Sequence, residues 1–125
     1  MNKYTRLFID ESRLYIPGIA AILDRLRHGC PGELDTREGQ RRSHYIKGMA
    51  LYEQQPAIAA LAWAMERGFE RLQGDGDGVD LVGGLEAAVP ILAGFVDDVE
   101  KHGSTLADPT PCVRVIEAAL RQSGE

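Results

Sequence analysis

Apolar residues recur three and four apart along almost the whole chain, and breaks rich in proline and glycine divide them into successive amphipathic segments. Each stripe must be buried against another element, which restricts the fold to packed helices. Phe8, Tyr15, Ile19, Ile22 and Leu26 predict a first helix over about 5–28. Pro17-Gly18 interrupts it, and because proline lacks the N–H and crowds the preceding turn, a kink or break near residue 17 is expected. Gly29-Cys-Pro-Gly32 forms a turn. A second helix over about 35–53 is charged at its start and turns Ile46, Met49 and Ala50 inward. Pro56 suits the first turn of a third, about 56–73, where Ile58, Leu61, Met65, Phe69 and Leu72 share one side. Trp63, with Met65 and Phe69, reads as a core residue rather than part of a cofactor site. After a Gly-Asp-Gly-Asp-Gly connector at 74–78, Leu81, Leu85, Val89, Leu92, Phe95 and Val99 mark a helix over about 79–102. Asp108 is a good N-cap and Pro109 a good first residue for a last helix, about 109–122, with Val113, Ile116 and Leu120 inward. Short connections place long neighbouring helices antiparallel. The expected fold is all-α, an up-and-down antiparallel four-helix bundle with an additional C-terminal helix, in a single domain spanning 1–125.

Composition narrows the function. With 44% hydrophobic and 26% charged residues the chain is apolar enough to fold alone. A net charge of -5 without a basic, aromatic-studded patch argues against nucleic acid. No apolar run approaches about 18 residues and no leader with a cleavage site opens the chain, so no membrane partner and a cytoplasmic location are expected. Cys30 and Cys112 lack metal or redox spacing and read as small hydrophobes. Asp75, Asp77 and Glu86 fall on positions one, three and twelve of a calcium loop, but Val79 and Asp80 occupy positions that need a ligand and a glycine, so the segment reads as a connector. His28 and His102 close helices, where a cation suits the macrodipole.

The informative stretch is Arg41-Arg-Ser-His44-Tyr-Ile-Lys47-Gly48-Met-Ala50. On a helix His44 shares its face with Gln40, Arg41, Lys47 and Gly48, all polar or without a side chain, so it projects into solvent while Ile46 and Ala50 face the bundle. Histidine, with an ordinary pKa near 6.5, offers a neutral imidazole and a free lone pair at cellular pH, which suits a phosphoryl acceptor. Lys47 would offset the added negative charge, and Gly48 would let an incoming active site approach the helix. Glu66, on the edge of the third stripe, either reaches His44 and fixes its tautomer or is a solvated carboxylate paired with Arg67 or Arg71.

His44-Tyr-Ile-Lys47-Gly48-Met-Ala50 resembles the H-x-x-K-G-x-A signature of histidine phosphotransfer domains, particularly the first domain of CheA-like chemotaxis histidine kinases. Phe8-Ile-Asp-Glu11 and Trp63-Ala-Met65-Glu66 are similar to that family's opening and helix-three segments. The resemblance implies phosphorylation of His44 by the ATP-binding domain of a histidine kinase and relay to an aspartate of a response-regulator receiver domain. ATP and Mg²⁺ would sit on those partners. The chain has no glycine-rich phosphate loop, hence no ATPase site of its own is expected. Two features differ: Trp63 stands where relatives carry a polar residue, and Leu51-Tyr-Glu-Gln-Gln55 replaces a glycine-containing turn. They favour the alternative, a helical interaction module that has lost phosphotransfer.

Overall fold

The computed structural model describes residues 1–74 and 78–124. Residues 75–77 of the glycine-rich connector, with two of the calcium-loop positions, lie outside the described residues. Five helices follow one another: α1 (Lys3–Arg27), α2 (Asp35–Tyr52), α3 (Pro56–Leu72), α4 (Val79–His102) and α5 (Thr110–Gly124). Helices α1 to α4 close a ring in which each packs on its two neighbours, and α5 lies across α3 and α4. Cross-helix pairs fix the directions. Thr5 meets Glu53, Tyr15 stacks on Tyr45 and Arg25 grips Asp35, so α1 and α2 run antiparallel. Arg6 and Arg13 meet Glu100 while Arg27 meets Glu86, so α1 and α4 do too. Arg13 and Arg6 hold the Glu100 carboxyl down to about 2.

The expected stripes form the core, with Phe8, Ile19, Ile46, Ile58, Leu61, Met65, Phe69, Leu85, Leu92 and Ile116 fully or almost fully buried. α1 is one continuous helix from Lys3 to Arg27, so of the kink or break expected near Pro17 the break does not form; Ile16 and Ile19 anchor the turns on either side of the proline in the core. Two expectations are corrected. Trp63 is not a core residue. It is 54% exposed, on the opposite side of α3 from Ile58 and Leu61, and the Arg67 guanidinium lies over its ring. Cys30 is exposed, whereas burial of Cys112 pushes its thiol up. α4 also departs from the hydropathy expectation. It is long and apolar enough to cross a membrane by length and composition, but 44% of its apolar window is buried against the other helices. α5 starts one residue later than expected, with Asp108 Oδ1 accepting from the Thr110 N–H.

Two helix ends share one design. At the end of α1, Gly29 takes a left-handed φ of 71°, and the Cys30 and Gly29 N–H groups donate to Arg25 and Leu26 carbonyls. At the end of α2, the Gln55 and Gln54 N–H groups donate in the same pattern to Ala50 and Leu51, but the left-handed residue is Gln54, at φ 57°. The buried Gln55 amide then donates to the Gly103 carbonyl and locks the turn. A β-carbon in this conformation is strained, so Gln54→Gly is expected to stabilise the domain by about 1 kcal/mol, read as a higher urea midpoint at unchanged slope.

Candidate functional site

α2 and α3 are the most closely packed pair, because small residues let them approach. A β-carbon on Gly39 would lie 2.5 Å from the ring of Phe69. The three-residue turn Glu53–Gln55 makes the pair antiparallel and brings the middle of α2 level with the middle of α3. His44 and Glu66 therefore face each other across the seam.

His44 is exposed, its side chain 58% accessible, and its Nδ1 lies 3.0 Å from Glu66 Oε2. A carboxylate accepts, so Nδ1 carries the proton and Nε2 bears the free lone pair. The other carboxylate oxygen, Oε1, is buried and lies 2.8 Å from the Lys47 ammonium, an ion pair without hydrogen-bond alignment. Glu66 is thus held from both sides and only 16% accessible. Of the alternative partners for Glu66, Arg67 instead reaches Glu117 on α5.

The structure brings His44, Lys47 and Glu66 together and leaves Gly48 beside them with open space. A β-carbon on Gly48 would meet nothing within 4 Å, so packing inside the chain does not require glycine there. Gly48 instead borders an apolar groove of about 340 Å³ between α1 and α2, lined by Tyr4, Leu7, Phe8, Met49 and Tyr52. Sequence reasoning missed this groove, although Tyr4, Leu7 and Leu14 mark an apolar line on α1 outside the inner stripe.

On the other flank, Glu38 accepts from both Arg41 and Arg42, and Arg41 first of all holds its carboxyl below the usual range. Arg41 lies over the Tyr45 ring and Arg42 over Tyr15, while the two tyrosines stack with centroids 5.8 Å apart. The ladder braces α1 against α2 next to His44. Among the described residues no group of three or more histidine, cysteine or acidic side chains is arranged to hold a metal. Compared with known proteins, the chain matches no family model, no curated protein and no solved structure.

Proposed function

We propose that this domain is a cytoplasmic phosphocarrier, similar to histidine phosphotransfer domains, in which His44 accepts a phosphoryl group from the ATP-binding domain of a CheA-type kinase and passes it to an aspartate of a receiver domain. The observation that carries this reading is the exposed His44 with Nδ1 bound to a doubly held Glu66. Nε2 attacks the γ-phosphorus, the bond to the ADP oxygen breaks, and the ring keeps its Nδ1 proton. The imidazole turns from neutral to cationic in that step, so the adjacent Glu66 carboxylate stabilises the product without any proton having to move. ATP and Mg²⁺ belong to the partners.

The test is incubation with a CheA-type kinase and labelled ATP. Label that is acid-labile and alkali-stable supports the reading; acid-stable label would move it to a hydroxyl residue. No label from any kinase of this type favours the second reading, a helical interaction module, for which the apolar groove between α1 and α2 is the supporting observation.

Gly48→Ala separates the two roles that a glycine can have here. Because the new methyl meets nothing inside the chain, the variant is expected to gain up to about 1 kcal/mol of stability from helix propensity. Loading by the kinase is expected to slow about tenfold, because the methyl stands where the catalytic domain approaches Nε2. A thermal melt and an initial labelling rate measure both, and unchanged loading would remove Gly48 from the docking path.

A further inference from the structure

Of the four cations on α2, three are engaged: Arg41 and Arg42 by Glu38, Lys47 by Glu66. Arg37 is exposed and pairs with no carboxylate among the described residues. It also stands in the first turn of the helix, where the macrodipole disfavours a cation. Folding therefore gains nothing evident from this guanidinium. Its position is informative: seven residues before His44 it lies on the same helix face, two turns or about 10 Å away along the axis. α2 carries four cations against two carboxylates in a chain of net charge -5, which leaves -7 on the rest of the molecule. Arg37 and Arg41 share the His44 face of α2, and with Arg41 offset by Glu38 and Lys47 by Glu66, Arg37 is, among the described residues, the uncompensated cation at one end of that strip.

We propose that Arg37 is a docking residue that engages an acidic protein surface on the receiver domain taking the phosphoryl group from His44. This rests on the phosphocarrier reading. An aspartate acceptor that works with Mg²⁺ holds the ion with carboxylates, so the rim of its site is negative. This chain's net charge of -5 repels such a negative rim unless a local charge of opposite sign orients the two. Arg37 supplies that charge at one end of the strip and places Nε2 over the acceptor. In the transfer the P–Nε2 bond breaks, its electron pair returns to the ring, and a P–O bond forms to the acceptor carboxylate. Nδ1 keeps its proton on Glu66 throughout.

The test loads the intact domain with potassium phosphoramidate, which needs no kinase, and mixes it with Mg²⁺-bound receiver domains from the same organism. Transfer is followed by rapid quench. Arg37→Glu is expected to discharge about tenfold more slowly than wild type at about 50 mM salt, with the gap closing near 0.5 M as the charges are screened. Its melting temperature should hold or rise, since a glutamate suits the first turn of a helix; a structural role for Arg37 would lower it. Equal discharge rates at low salt, or a gap that persists at high salt, overturn the proposal. So does a defect confined to loading by the kinase, which would give Arg37 to that partner. Wild type that takes label and keeps it in the presence of every receiver also overturns the proposal but leaves His44 a phosphoryl acceptor, whereas wild type that takes no label from phosphoramidate sinks the carrier reading itself.

Discussion

His44→Gln is expected to carry no acid-labile label after incubation with kinase and ATP, while folding as well as the wild type. Glutamine approximates the size and polarity of histidine, but its amide nitrogen has no lone pair free to attack phosphorus. The position is exposed, so the change in stability should stay within about 0.5 kcal/mol. Glu66 variants grade the same site. In Glu66→Ala nothing accepts from Nδ1, the tautomer protonated at Nε2 competes, and that nitrogen then has no free lone pair. Loading should fall by roughly 10- to 100-fold. Glu66→Gln keeps an acceptor oxygen but removes the charge that balances the cationic ring, so a loss of about tenfold is expected. Label retained at wild-type level in His44→Gln would place the acceptor elsewhere. Equal loading of all three Glu66 forms would reduce that residue to a packing role.

How far this site was legible follows from what each part depends on. The exposure of His44 depends only on helical periodicity and the polarity of its four helix neighbours, which are local properties. The Glu66 contact needed one more step, the antiparallel register of α2 and α3, and the turn between Tyr52 and Pro56 is too short to allow another arrangement. Lys47 holding Glu66, the Tyr15–Tyr45 stack and the groove beside Gly48 depend on the rotation of each helix about its axis. Rotation is set by packing across the whole bundle, and a single stripe leaves it undetermined by tens of degrees. Trp63, by contrast, was within reach of the sequence: it stands two residues from both Leu61 and Met65, about 200° round α3 from each, and the structure exposes it there. Pro17 is legible as a lost hydrogen bond, but whether the helix breaks there is not, because the buried contacts of Ile16 and Ile19 hold the turns on both sides.

The seam between α2 and α3 carries the second large effect. Phe69 is fully buried, and its ring fills the space that Gly39 leaves open. Phe69→Ala removes the ring and is expected to cost about 4 kcal/mol, from lost burial and the remaining cavity. For a domain of this size that is a large share of the usual 5–15 kcal/mol and lowers the melting temperature by roughly 15 °C. Gly39→Val attacks the same contact from the other side. Its β-carbon would stand 2.5 Å from two ring carbons, so either the ring leaves its well or α2 moves off α3. The expected cost is about 3 kcal/mol, at the upper end for overpacking. The two variants should part in function. The alanine leaves the helix separation to relax inward, so folded molecules keep the 3.0 Å His44–Glu66 contact and their loading rate. The valine pushes the helices apart at a point five residues from His44, and loading should fall with stability. Combining them lets the valine occupy the space that the ring vacates, so the double variant should be more stable than the sum of the single losses by at least about 1 kcal/mol. Strict additivity in urea melts would mean that Gly39 and Phe69 do not meet, and with that the spacing that aligns Glu66 on His44 would lose its structural cause.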